Sequence, residues 1–304
     1  MYDLIILGGG PAGYLAAERA GHAKLSTCLF EMNALGGVCL NEGCIPSKAL
    51  LYSAKVYDYA LHGEKYGVKT ENASLDHKAV VARRGKVVRT LVSGVGAKMK
   101  GAGVTVVKER ASIVGRVEGG YEVEAAGQKY QAKRLLIATG SSPSLPPIPG
   151  LKEGIEAGYL LTNREVLTLD AVPERLAIIG GGVIGLEMAA YYATAGSKVT
   201  VIEMLDHIAG ATDREISAML QKEYEKKGVT FLLSTKVVSI AEGKIACEAG
   251  GKPLESAAQL TEMVAAMGDA PLPLTIQRGN STLEVTLTPQ RDGQSGDYRI
   301  GAWV

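Results

Sequence analysis

Long apolar runs are missing from this chain. No stretch reaches the eighteen or so apolar residues that a membrane-spanning helix requires, so a bilayer-crossing helix is not expected. Charge of one sign is missing too. Lys and Arg total 33 against 32 Asp and Glu, which leaves neither the basic footprint of a nucleic-acid binder nor an acidic solvating tail. The start, Met1-Tyr2-Asp3, has no basic segment of the kind that opens a signal peptide, and glycines follow early. Histidine is scarce: His22, His62, His77 and His207 are the only four. The four cysteines suit a reducing cytoplasm better than a disulfide-stapled secreted fold. With no second Cys or His pair at ligand spacing, no metal is expected. What is plentiful is glycine, 38 in 304 residues, as in an α/β protein with several glycine-rich turns. The length allows two or three domains with cores of their own.

The most informative string is Gly36-Gly37-Val38-Cys39-Leu40-Asn41-Glu42-Gly43-Cys44-Ile45-Pro46-Ser47-Lys48. A regular helix advances about 1.5 Å and about 100° per residue, so it turns positions five apart to different faces. A disulfide needs Cα atoms roughly 4.4–6.8 Å apart. The turn between Cys39 and Cys44 must therefore be irregular if the two are to meet, and Gly43 offers backbone freedom for it. Pro46 fits the first turn of a helix running on through Leu51. That places Cys44 at a helix N-terminus with Lys48 one turn away, and both features favour a thiolate. Two structural cysteines, or half of a zinc site, are the plainer alternatives.

Two βαβ units are expected, displaced by 172 positions. The strand Tyr2 to Leu7 enters Gly8-x-Gly10-x-x-Gly13, a helix follows, and the strand Leu25 to Phe30 ends at Glu31. Leu176 to Ile179 enters Gly180-x-Gly182-x-x-Gly185, an Ala-rich helix follows, and Val199 to Ile202 ends at Glu203. In such a unit the first glycine allows a tight turn, the second lets the backbone approach a pyrophosphate, and the third lets helix and strand pack closely. The pyrophosphate rests on the helix N-terminus, and the acid accepts from a ribose diol. Between the units, Val104 to Ile113 and Tyr121 to Ala126 alternate as strands around a Gly119-Gly120 turn, before a buried strand over Arg134 to Ile137.

The dithiol string resembles the active-site motif of the pyridine-nucleotide:disulfide oxidoreductases, flavoenzymes that pass electrons from a dithiol through FAD to a nicotinamide. Leu40-Asn41 and Ile45 look like dihydrolipoamide dehydrogenase more than glutathione or mercuric reductase. The resemblance implies that the first unit holds FAD through Gly8, Gly10 and Gly13, with Glu31 on the ribose. The second would hold NAD through Gly180, Gly182, Gly185 and Glu203. Glu203 would repel a 2′-phosphate, and no Arg follows within Met204 to His207, so NAD is favoured over NADP. Ala138-Thr139-Gly140 resembles the crossing from the flavin domain toward the nicotinamide domain, with Ser144 to Gly150 as the connecting segment. Lys48 and Glu187 would pair beside the reactive edge of the flavin. Cys39, as the more exposed thiol, would exchange with dihydrolipoamide, and Cys44 would face the flavin. The implied reaction converts dihydrolipoamide and NAD⁺ to lipoamide and NADH, with free dihydrolipoamide or a lipoyl-bearing protein as substrate.

The likeness is expected over residues 1 to 248. The family's interface domain, whose His-Glu pair is donated across a homodimer, has no counterpart in residues 249 to 304, and no histidine comes after His207. Impaired turnover and loss of the homodimer are therefore expected. Gly268-Asp269 is not read as the family's flavin-contacting Gly-Asp, because it follows the helically spaced Ser256 to Ala266 and not a strand. The tail instead resembles the second half of a PDZ domain. It would have a strand end over Gly251 to Leu254 and a helix over Ser256 to Met267. A hairpin of Pro273 to Arg278 and Thr282 to Pro289 would turn at Gly279-Asn280. Tyr298 to Val304 is similar to the PDZ–protease junction of a SpoIVB-type sporulation peptidase. The carboxylate-binding loop of a PDZ domain is missing, which removes its main-chain donors.

The expected architecture is α/β: two Rossmann-like units, the second incomplete, and a small β-rich, PDZ-like tail. The boundaries are 1–150 for FAD and the dithiol, 151–250 for NAD, and 251–304 for the tail. The competing reading is a non-catalytic chimeric or truncated product, or the peptide-binding PDZ module of a serine peptidase.

Overall fold

The computed structural model describes residues 1–241 throughout, and beyond them strands at 244–249, 252–253, 272–278, 281–287, 290–291 and 298–299. The chain divides into two compact units. The first gathers Met1–Val56, Asp76–Pro143 and Asn163–Asp170; the second gathers Tyr57–Leu75, Ser144–Thr162 and the chain from Ala171 onward.

The first unit is built on β1 (Tyr2–Leu7), α1 (Pro11–His22), β2 (Thr27–Phe30), α2 (Gly37–Asn41), α3 (Cys44–Leu61) as far as Val56, and α4 (His77–Gly101). β3 (Thr105–Val107), β4 (Ala111–Val117), β5 (Gly120–Ala125) and β6 (Gln128–Ile137) complete it. One six-stranded sheet runs β3-β2-β1-β6-β5-β4. β1 pairs in parallel with β2 and β6, and β2 in parallel with β3, while β4, β5 and β6 pair antiparallel. All four residues of β2 are buried, as befits an inner parallel strand covered on both faces. Alternate side chains of β1 and β2 serve two cores. Ile5, Leu7, Cys28 and Phe30 pack with Val123 and Ala132 on one face. Ile6 and Leu29 pack with Ala17, Val95 and Met99 of the helices on the other.

The expected strand from Leu25 begins only at Thr27, and Leu25 is exposed. The expectation of a buried strand over Arg134 to Ile137 needs correction. Those residues end the ten-residue β6, where Leu135 and Leu136 are half-buried and Ile137 is 61% exposed. The strand runs past its covering layer at its C-terminal end, the end at which parallel sheets open their ligand crevice. The 25-residue helix α4 was not foreseen. Gly85, Gly94 and Gly96 inside it disguise its helical character, since each disfavours a helix interior. Its legible signal is the cap: the Asp76 carboxylate accepts from Ala79 N–H at 3.0 Å.

The second unit continues with α5 (Leu151–Glu156), β7 (Arg175–Ile179), α6 (Val183–Ala195), β8 (Lys198–Ile202), α7 (Arg214–Lys226) and β9 (Thr230–Leu232). β7, β8 and β9 form a parallel three-stranded sheet in sequence order. An antiparallel sheet of β10 (Thr235–Ala241), β11 (Lys244–Ala249) and β12 (Lys252–Pro253) comes next. The proline-rich connecting segment is stitched down. Ile240 N–H donates to Pro149 O at 2.9 Å, and Gly150 (φ +83°) lies so close to the Ile240 carbonyl that a Cβ would stand 1.7 Å from its oxygen.

The expected tail hairpin is present as β13 (Leu272–Arg278) and β14 (Ser281–Leu287), with Arg278 opposite Ser281 across a two-residue link. β15 (Gln290–Arg291) pairs with β16 (Tyr298–Arg299). The expected helix over Ser256 to Met267 and the Gly268-Asp269 pair lie outside the described residues, as do residues 300–304.

Candidate active site

The first glycine-rich turn has the shape its spacing implies. Gly8 takes φ +106°, and a Cβ there would stand 2.2 Å from Ala138 O. A Cβ on Gly13 would stand 1.8 Å from Gly8 O, so only glycine lets α1 close on β1. The space at Gly10 is open, the nearest atom to a Cβ being the Gly37 Cα at 3.9 Å. Pro11 begins α1, and no acid occupies its first turn, so the helix N-terminus presents unopposed N–H groups. Ala138 is brought to this turn by its N–H bond to Leu7 O at 2.8 Å, and Thr139 and Gly140 follow it exposed.

Glu31 orders the far side of the turn. Its Oε2 accepts from Gly9 N–H at 2.8 Å and its Oε1 from Asn33 N–H at 2.7 Å. Each carboxylate oxygen spends one lone pair and keeps another for a ligand hydroxyl.

The second unit repeats this arrangement. Gly180 takes φ +101°, a Cβ on Gly185 would stand 2.4 Å from Gly180 O, and nothing stands within 4 Å of a Cβ on Gly182. Glu203 Oε2 accepts from Gly181 N–H at 2.7 Å and Oε1 from Leu205 N–H at 2.8 Å. Glu187 lies in the second turn of α6. Both turns could hold a dinucleotide: pyrophosphate at the glycines and helix N-terminus, ribose at the acid.

Cys39 lies on the short helix α2 and Cys44 is the first residue of α3, with an irregular break at Glu42-Gly43 between them. The break is as expected, but the reason for Gly43 differs. Its φ is not in the left-handed region; a Cβ would press to 3.1 Å from Val38 O and 3.6 Å from the Cys39 Cα. Tight clearance, not backbone freedom, favours the glycine. The left-handed positions are Gly36 (φ +93°) and Gly37 (φ +56°), which sequence reasoning passed over. Gly36 N–H donates to Gly9 O at 2.8 Å, and a Cβ on Gly37 would stand 2.7 Å from the Gly10 Cα. The helix carrying Cys39 therefore sits directly on the first dinucleotide turn. Asn41 was also passed over as a brace: its Nδ2 donates to Leu35 O and Gly37 O at 3.1 and 2.9 Å.

The Cys39 thiol feels the Cys44 side chain electrostatically. Cys44 is exposed and Cys39 half-buried, the reverse of the expected order. Cys39 packs on the helical core beside Leu35 and Ile45, whereas Cys44 stands at the open end of its helix. Burial pushes the Cys39 thiol up to about 11 and the Cys44 sulfur adds to the rise; a backbone bond at Cys44 and the Lys48 charge oppose it. Cys28, fully buried, is pushed up to about 11 by desolvation. Cys247 packs partly buried against the core around Ile202 and Val237. Among the described residues there is no metal-binding cluster, and no helix is long and apolar enough to cross a membrane.

Two dinucleotide turns and a dithiol define a class, and comparison with known proteins gives it a family. The chain belongs to the pyridine nucleotide-disulphide oxidoreductase family, whose sequence model matches residues 2–279, beyond residue 248 where the likeness was expected to end. Within it, the chain is 40% identical over 238 residues to the dihydrolipoyl dehydrogenase of Mycoplasma genitalium, covering 78% of this chain and 51% of that protein. It is 38% identical over 252 residues to the dihydrolipoyl dehydrogenase of Acholeplasma laidlawii, covering 83% and 74%. Among solved structures, the HOCl-induced flavoprotein disulfide reductase RclA from Escherichia coli matches with a TM-score of 0.69 at 25% identity, over 83% of this chain and 54% of that one. The chain thus spans about half the length of most of the curated relatives it matches. Members of the family use FAD and NAD.

Proposed function

We propose that this chain carries the dithiol and nucleotide machinery of a dihydrolipoamide dehydrogenase, interconverting dithiol and disulfide at Cys39 and Cys44 in communication with FAD and NAD. The observation that supports this most is the joint between α2 and the first turn, made by Gly36 N–H on Gly9 O and by the close approach of Gly37 to Gly10. It fixes the sulfurs relative to any ligand of that turn.

FAD, when bound, supplies a two-electron relay between sulfur and nicotinamide. Gly8, Gly10, Gly13 and the N-terminus of α1 would take its pyrophosphate, and Glu31 its ribose. Ala138, Thr139 and Gly140 border that turn. Gly180, Gly182, Gly185 and Glu203 would take NAD in the same manner. The fit rests on the open space at Gly10 and Gly182 and on the lone pairs left on Glu31 and Glu203. Lys48, whose charge reaches Cys39, would steady a thiolate there.

The proposed substrate is dihydrolipoamide, free or on a lipoyl-bearing protein. Its oxidation needs a base, which the resembling enzymes take from an interface domain. His77 is engaged with Leu169 O, and His207 with Asp206 and Gly210 O. We assign this chain the sulfur and nucleotide steps of that oxidation. For 251–304 the PDZ-like reading is the second one, supported by the β13–β14 hairpin.

The test is to equilibrate the protein with excess FAD, desalt it, and record the flavin spectrum. NAD⁺ reduction by dihydrolipoamide is then assayed with and without Cys39→Ser. Retained flavin and Cys39-dependent NADH formation, however slow, support the reading. No flavin, or a rate indifferent to Cys39→Ser, contradicts it.

A further inference from the structure

Glu42 lies in the break between α2 and α3, between the two cysteines, and two consecutive residues from far along the chain grip it. Arg164 Nε stands 2.6 Å from Glu42 Oε2, and Asn163 Nδ2 donates to Glu42 O at 3.1 Å. One contact holds the side chain and the other the backbone. Both come from Asn163–Asp170, a segment of the first unit that carries neither a cysteine nor a glycine-rich turn.

The break sets how the two sulfurs meet, and a disulfide constrains both the Cα separation and the dihedral angle. Its own anchors are few. Glu42 N–H closes α2 on Val38 O at 2.8 Å, and Gly43 O accepts from Ser47 N–H at 3.0 Å. Holding Glu42 at both backbone and side chain narrows the conformations open to the free dithiol. A narrower open state raises the effective concentration of one thiol at the other, which favours ring closure. We infer that Asn163 and Arg164 are positioning residues of the dithiol: they preorganise the Cys39–Cys44 break and so lower the reduction potential of the pair. This rests on the dithiol reading of Cys39 and Cys44 under the proposed function.

The test equilibrates the full chain with glutathione buffers of graded ratio. Cys39 and Cys44 each lose S–H and gain one shared S–S bond; the S–S bond of oxidised glutathione breaks, takes up the two electrons and two protons, and leaves as two thiols. The oxidised fraction is read from alkylation and the mass of the peptide holding both cysteines. Arg164→Ala and Asn163→Ala should each move the equilibrium toward the dithiol by about threefold to tenfold, roughly 15–30 mV for a two-electron couple. Glu42→Gln should match Arg164→Ala, and Arg164→Lys should restore part of the effect, keeping charge without the planar fork. Lys133→Ala, which removes the ion pair with Asp3 at 2.7 Å in the same unit, should leave the equilibrium unchanged. All should fold, since side chains 40% and 39% exposed at Arg164 and Glu42 contribute little to global stability. An unchanged equilibrium in both Arg164→Ala and Asn163→Ala, or an equal shift in Lys133→Ala, overturns the inference. Absence of any Cys39–Cys44 bond in the unmutated chain is a different result: it removes the dithiol reading, and this inference with it.

Discussion

Glu31 and Glu203 make the same two bonds 172 positions apart: each carboxylate accepts the N–H of the residue just after the first glycine of its turn, Gly9 or Gly181, with Oε2 and the N–H two residues beyond itself with Oε1. The acid is thus part of the turn before any ligand arrives, and its remaining lone pairs face the place where a ribose would sit. A phosphate on that ribose would meet a fixed negative charge.

Glu203→Ala should therefore erase a preference for NADH over NADPH. At about 4 Å the repulsion between unit charges runs from about 1 kcal/mol in water to about 4 kcal/mol near a protein surface, so the preference should be about fivefold or more. Paired binding titrations of the unmutated and mutant chains check this. Equal affinities in the unmutated chain would refute it.

Gly37→Ala and Gly10→Ala should separate two roles of the first turn. At Gly37 an alanine would have to adopt a left-handed backbone and stand 2.7 Å from the Gly10 Cα, so the fold should lose about 1–3 kcal/mol. At Gly10 the backbone is extended and the space open, so a methyl group should leave the melting temperature within a few degrees while displacing a bound pyrophosphate. Thermal melts alongside flavin titrations read both effects. A Gly10→Ala variant that holds FAD as well as the parent would argue against a pyrophosphate there.

The legible parts of this molecule were those fixed by local backbone demands. Gly8, Gly13, Gly180 and Gly185 announce their turns because no other residue fits, and Asp76 announces α4 to a reader looking for caps. What the chain hides are contacts set by distant residues. Nothing near Glu42 foretells Arg164, and nothing near Gly37 foretells that its neighbour will be Gly10. The exposure of the two cysteines was misjudged for the same reason: Cys39 owes its cover to a core that includes the unforeseen α4.

Thiol labelling of the native, reduced chain should follow the order of exposure. Cys44 should react first with iodoacetamide, and Cys28 should stay unlabelled until the protein unfolds. The Cys39 thiol, pushed up to about 11, is the neutral species at pH 7. Its thiolate fraction, and so its alkylation rate, should climb about tenfold per pH unit between pH 7 and pH 10, levelling off near the raised value. Mass mapping of labelled peptides against pH checks this. A Cys39 rate that is flat over that range would contradict the burial seen in the structure.

The most direct test of the account is a reductive titration with NADH of the oxidised, FAD-loaded chain under anaerobic conditions, with new thiols counted and mapped. Two new thiols should appear for each NADH consumed, one at Cys39 and one at Cys44, and none at Cys28 or Cys247. NADH consumption without new thiols at Cys39 and Cys44, or thiols appearing at Cys28 or Cys247 instead, would contradict it.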